Sequence, residues 1–104
     1  MQLSISSPGT TLDREQLGGI ERDLEKIDRR FRSPEDVVTR VRVTNGKPVQ
    51  GYDVVLELDY HKRHFMAKAN GSDVGRAVRE ARDDLLRQVT DAGRGGHSSF
   101  VKGT

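Results

Sequence analysis

Hydrophobic positions alternate with polar ones at the start of the chain. Leu3 and Ile5 alternate with Gln2, Ser4 and Ser6, and Ser7-Pro8-Gly9 follows. This pattern predicts a short strand closed by a turn. The period then changes. Leu17, Ile20, Leu24, Ile27 and Phe31 recur at spacings of 3, 4, 3 and 4, an apolar stripe on a charged helix. Asp13 and Gln16 stand at capping-box spacing before the stripe, and Leu12 and Leu17 stand as a hydrophobic staple. Gly18 and Gly19 interrupt the helix, either for close packing on a sheet or as a plain weakening of its first turns. Ser33-Pro34 ends it, because the residue before proline disfavours helical backbone.

Period-two alternation returns three times. Thr39, Val41 and Val43 share one face of a strand over 37–44, and Asn45-Gly46-Lys47-Pro48 reads as a turn. Tyr52, Val54, Leu56, Leu58 and Tyr60 form the inner face of the clearest strand. His61-Lys62-Arg63 is a short hairpin connection, and Phe65, Ala67 and Ala69 line a fourth strand whose small residues let a helix approach. Gly71-Ser72-Asp73 then offers two capping side chains. Val74, Ala77, Val78, Ala81, Leu85 and Val89 make a second helical stripe that fades at Asp91-Ala92-Gly93.

The predicted fold is α+β with the order β-α-β-β-β-α: a four-stranded sheet with two helices packed on one face and the other face wet. Residues 1–92 make a single domain, and 93–104 a flexible Gly/Ser-rich tail.

Composition narrows the function. The chain has 104 residues, 33% of them charged and 33% apolar, with no Cys and no Trp. Disulfide frameworks and thiolate metal sites are excluded. No apolar run reaches the roughly 20 residues of a membrane span, and the start lacks the pattern of a secretory signal, so a cytoplasmic location is expected. His61 and His64 supply two metal ligands where zinc needs four, so no metal is expected. Asp83 and Asp84 are adjacent on a helix and point apart, Ser6-Ser7 and Ser98-Ser99 have no positioned base, and no Gly-rich phosphate loop is present. No enzyme activity, cofactor or small-molecule substrate is expected. Tyr52, Tyr60 and Phe65 read as core rather than as a stacking platform, with Met66 as the exposed apolar residue of the opposite face. That face also carries Arg40, Arg42, His64 and Lys68 against Glu57 and Asp59.

The formal net charge of +2 hides a layout. Residues 13–32 carry six acids and six bases, residues 37–72 sum to +3, and residues 73–92 to −1. On the first helix Arg22, Lys26 and Arg29 fall at i, i+4 and i+7 opposite the apolar stripe, with Arg30 beside them. On the second helix Arg76, Arg79 and Arg87 point outward among acids.

The run Phe65-x-Ala67-x-Ala69-x-Gly71-x-Asp73-Val74-x-x-Ala77-Val78, continued by Asp83, Leu85 and Arg87-Gln88-Val89, resembles the ribosome hibernation promoting factor family, which includes the ribosome-associated inhibitor A proteins. Met1-Gln2-Leu3-x-Ile5 and Leu24-x-Lys26-Ile27-x-x-x-Phe31 carry the resemblance further, so that it spans about residues 1–90. Gly71-x-Asp73-Val74 is its most specific piece. The resemblance implies a translation inhibitor that binds small-subunit ribosomal RNA near the channel for mRNA and tRNA, through basic helix residues on phosphates. It also implies the short form, without the additional domain that pairs ribosomes. Lys26 and Arg87 match basic positions of the family; Arg22, Arg29, Arg30, Arg76 and Arg79 are assigned to RNA by position. The chain departs from the pattern at Asp23 and Asp84, where the family usually has Lys, at Thr90-Asp91-Ala92-Gly93 in place of a Lys-rich helix end, and at Gly75 in place of an aromatic. These departures leave open a second reading, a divergent non-enzymatic protein-interaction module on the same fold.

Overall fold

The computed structural model describes residues 1–46 and 51–95, with the side chains of 94 and 95 left aside. Strand β1 (Gln2–Ser6) leads to helix α1 (Arg14–Leu24) and a 3-10 segment, Glu25–Arg30. A single 3-10 turn, Pro34–Asp36, precedes β2 (Val37–Asn45), β3 (Tyr52–Tyr60) and β4 (Arg63–Gly71), and α2 (Val74–Gly95) closes the domain. The sheet order is β1-β2-β3-β4. β1 runs parallel to β2 with Leu3 opposite Thr39, and the two later pairs are antiparallel hairpins. This is the predicted β-α-β-β-β-α order, with α2 on β3 and β4 and α1 beside α2.

The alternating residues lie where their period places them. Val41, Val43, Val54, Leu56, Leu58 and Ala67 are buried under the helices, and Ile20, Leu24, Ile27, Ala77, Ala81 and Leu85 meet them from above. Phe65 is buried, Tyr52 and Tyr60 pack against the core partly exposed, and Met66 is the large apolar side chain left on the wet face. The capping box forms in full: the Gln16 N–H donates to the Asp13 carboxylate at 2.7 Å, and the Asp13 N–H donates to the Gln16 amide oxygen at 2.9 Å. Asp73 caps α2 in a similar way, its carboxylate accepting from the Gly75 N–H at 2.9 Å. A Cβ on Gly51 would lie 2.7 Å from the Gly71 carbonyl oxygen, so the approach of these two backbones requires glycine.

Three local expectations change. The first helix does not stay α-helical to its end, because it tightens to 3-10 geometry from Glu25. Lys26 and Arg29 therefore eclipse one another at three residues per turn, and Arg22 sits on the preceding α turn. Gly18 and Gly19 serve no close approach to the sheet: a Cβ there would meet only the far end of Arg22, at 3.9 and 3.8 Å. The second helix runs on through Gly93 to Gly95. Residues 96–104 of the expected tail and residues 47–50 of the expected turn lie outside the described residues.

Candidate nucleic-acid interface

β2 and β4 point the same way in the sheet; the parallel crossover from β1 to β2 sends α1 back against that direction, and α2 turns back along β4. α1 and α2 are therefore parallel, as their cross-contacts confirm: Asp23 meets Arg79 and Arg82, and seven residues further on Arg30 meets Thr90. Both carboxyl ends reach the end of the molecule that holds the β3–β4 turn. Basic side chains there oppose the negative ends of two helix dipoles.

At that end the Arg30 guanidinium donates to the Thr90 hydroxyl at 3.1 Å and lines two grooves. The first, about 670 Å³, is walled by Phe31, Tyr60 and Phe65 and rimmed by Arg30, Lys62 and Arg63. The second, about 310 Å³, runs between the 3-10 segment and α2 and holds Arg30 and Arg87 with Asp83 and Asp91. Lys26 and Arg29 are exposed on the 3-10 segment nearby in the chain.

The other assigned arginines are elsewhere. Arg76 is exposed in the first turn of α2, about 16 Å along the axis from Arg87 at 1.5 Å per residue. Arg22 folds back over Gly18 and Gly19. Arg79 is engaged, its guanidinium 3.3 Å from the Asp23 carboxylate. Arg87 stands 3.5 Å from Asp84, whose other oxygen accepts from the Gln88 amide at 3.3 Å. Asp23 and Asp84 are thus partners for arginines of this chain. Asp23 goes further. Its backbone carbonyl accepts from Arg82 at 3.2 Å, while Arg82 also forks onto Asp83 at 2.8 and 3.0 Å. Arg82 is only 7% exposed, and it fastens α1 to α2.

Two features escaped the sequence reading. Arg82 stands four residues from both Val78 and Leu86, on the edge of the apolar stripe, and that spacing is a legible signal of burial. Lys62 and Arg63 are plain turn residues in sequence, and only the parallel helices bring them to Arg30.

On the wet face, Arg40 reaches Asp59 at 2.9 Å and Glu57 at 3.8 Å, and His64 hydrogen-bonds Asp59. The His64 contact and then the Arg40 contact favour the charged form and hold the Asp59 carboxyl below its ordinary value. Among the described residues no helix is long and apolar enough to cross a membrane, and no group of three or more His, Asp or Glu is placed to hold a metal ion.

No protein-family model matches the chain, and no curated protein does. Solved structures do match it in fold. A ribosomal subunit interface protein from Coxiella burnetii superposes with a TM-score of 0.76 at 14% identity, covering 90% of this chain and 99% of that one. The N-terminal domain of Protein Y from Thermus thermophilus superposes with a TM-score of 0.74 at 16% identity, covering 86% of this chain and 96% of that one. At such identities the likeness is one of fold.

Proposed function

We propose that this chain is a ribosome-associated factor of the hibernation type. It binds small-subunit ribosomal RNA near the channel for mRNA and tRNA, in the cytoplasm, and keeps translation silent without catalysing a reaction. The observation that carries this reading is the fold, shared over nine-tenths of the chain with a protein described as a ribosomal subunit interface protein. The charge layout supports it. Arg30, Lys62 and Arg63 converge at one end, with Lys26, Arg29 and Arg87 on the elements that lead there. Such a cluster binds phosphates without reading sequence, which suits a folded RNA recognised by shape. Arg22, Arg76 and Arg79 belong to the same surface only as outlying contacts.

A second reading, a protein-interaction module on the same fold, is favoured by the Asp23–Arg79 and Asp84–Arg87 pairs, which spend basic groups inside the molecule. Cosedimentation with isolated small subunits separates the two. An RNA-binding factor sediments with them at low salt and is released steeply as salt rises, because each phosphate contact releases counterions. No cosedimentation even at low salt overturns the ribosomal reading. Lys26→Glu combined with Arg87→Glu is expected to weaken binding; unchanged binding would remove these two residues from the interface and leave the function standing.

A further inference from the structure

The β3–β4 turn holds a feature that general phosphate binding does not use. Tyr60 pairs with Arg63, so the connection is only His61-Lys62. His61 has φ of +55°, the one non-glycine among the described residues in the left-handed region. A two-residue hairpin with positive φ on its first residue calls for glycine there. Histidine is found there more often than most non-glycine residues, but it still carries a steric cost that glycine would not.

The ring is held in place from two sides. It stacks on Tyr60 with centroids 4.2 Å apart and planes 13° from parallel, and its Nε2 lies 3.1 Å from the Asp36 carboxylate. Tyr60 in turn leans on Phe31 at 4.5 Å. Three rings thus form a short column beside the larger groove, and the outermost, His61, is 58% exposed. Around it stand Arg30, Lys62 and Arg63, and no carboxylate lines the groove among the described residues. Asp36, which is not part of that lining, is already used by His61. Two further grooves among the described residues differ: one mixes arginines with Asp83 and Asp91, and one on the sheet, lined by Lys68, also holds Asp53.

We infer that this groove takes an unpaired nucleotide of an RNA strand, its base stacked on the outer face of His61 and its flanking phosphates on Arg30, Lys62 and Arg63. Aromatic faces accept any base, and the cations track the backbone. The inference rests on the ribosomal-RNA reading and narrows it: the site selects a single-stranded nucleotide over a paired one, since a base inside a duplex has no free face.

The test uses the full chain and a labelled oligoadenylate of about six nucleotides, within the site sizes single-strand binders span. An RNA duplex of equal charge and free AMP are the comparators, with affinities read by fluorescence anisotropy. The single strand is expected to bind more tightly than either. His61→Gly relieves the turn, so its thermal midpoint is expected to equal or exceed that of the unaltered chain. Its affinity for the strand is expected to fall roughly five- to 160-fold, the worth of one stacked base. Loss of strand affinity in a variant at least as stable separates recognition from folding. His61→Asn, which tolerates positive φ, serves as the second variant. Lys62→Ala with Arg63→Ala is expected to flatten the salt dependence for strand and duplex alike. Equal affinity for strand and duplex, AMP competing as well as the strand, or His61→Gly binding unchanged each overturns the inference. Subunit cosedimentation run alongside keeps the two ideas apart. Cosedimentation without strand preference overturns the groove alone, and strand preference without cosedimentation overturns the ribosomal reading alone.

Discussion

The two ends of the polar contact between the first helix, with its 3-10 extension, and α2 use arginine in opposite ways. At the last turn of α1, Arg79 and Arg82 converge on Asp23, and Arg82 is almost wholly buried. At the carboxyl ends, Arg30 leans on a neutral hydroxyl, and Lys62 and Arg63 rim a groove without carboxylates among the described residues. Arg79 and Arg30 both read as basic helix surface when residues are counted along the chain. Their difference teaches that the partner, not the position, decides what a cation is for. A guanidinium already bridged to a carboxylate must give up that contact before it can serve a phosphate, whereas one resting on threonine keeps its charge available.

The sharpest way to break the comparison is to remove the clamp. Arg82→Ala strips the Asp23 carbonyl and Asp83 of their donor in a nearly closed interface between helices. A loss of about 2–3 kcal/mol is expected, read from urea unfolding followed by circular dichroism. A loss below about 0.5 kcal/mol would make Arg82 an ordinary surface group, its charge open to a phosphate.

The opposite end should behave in reverse. Arg30→Ala, Lys62→Ala and Arg63→Ala together are expected to lower affinity for small subunits roughly tenfold at low salt and to flatten the salt dependence, with stability little changed. Arg79→Ala is expected to change subunit affinity less than about twofold, because its charge is matched by Asp23. If Arg79→Ala weakens binding as much as the triple variant, the two ends are one surface and the distinction fails.

How much of this was legible follows the same line. Strand faces and helix stripes repeat along the chain, so Val41, Leu56 and Leu85 announce their burial without any knowledge of neighbours. The capping boundary at Asp13 and Gln16 is local too, and it forms as read. The 3-10 turn was hidden because Leu24, Ile27 and Phe31 are spaced to fit either helical period over so short a run. The site was less legible than the fold. Whether Asp23 weakens a phosphate surface or clamps two helices depends on Arg79 and Arg82, more than fifty residues away in sequence. Lys62 and Arg63 join Arg30 only through the parallel arrangement of the helices.

The amino half of α1 offers a smaller, stabilising test. Arg22 lies over Gly18 and Gly19, away from the cluster at the carboxyl ends, and a Cβ at either glycine meets only that flexible side chain. Gly18→Ala and Gly19→Ala are each expected to add about 0.5–1 kcal/mol through helix propensity. Subunit binding should stay as it was. A drop in binding when Arg22 is displaced would bring Arg22 back into the interface and extend the cluster along α1.

The smallest effect expected lies on the wet face, where Arg40 is engaged by Asp59 and Glu57. By the rule drawn from the two helix ends, Arg40 is not a phosphate contact. Asp59 reports on this. Hydrogen bonds from His64 and then Arg40 hold its carboxyl below its ordinary value of 3.8 in the folded chain. A depressed carboxyl binds its proton less readily folded than unfolded. Its contribution to stability is therefore complete above the ordinary value and is lost as pH falls through the folded one. The cluster is two-fifths exposed, so solvent screens it and the effect is small. Asp59→Asn is expected to flatten the acid limb of the thermal midpoint as pH falls below the ordinary carboxyl value. Arg40→Ala is expected to leave subunit affinity unchanged. An acid limb identical in Asp59→Asn and the unaltered chain, together with weaker subunit binding in Arg40→Ala, would show the arginine free of its carboxylates. It would then join Lys62 and Arg63 as a phosphate contact, and the open sheet face would become part of the RNA surface.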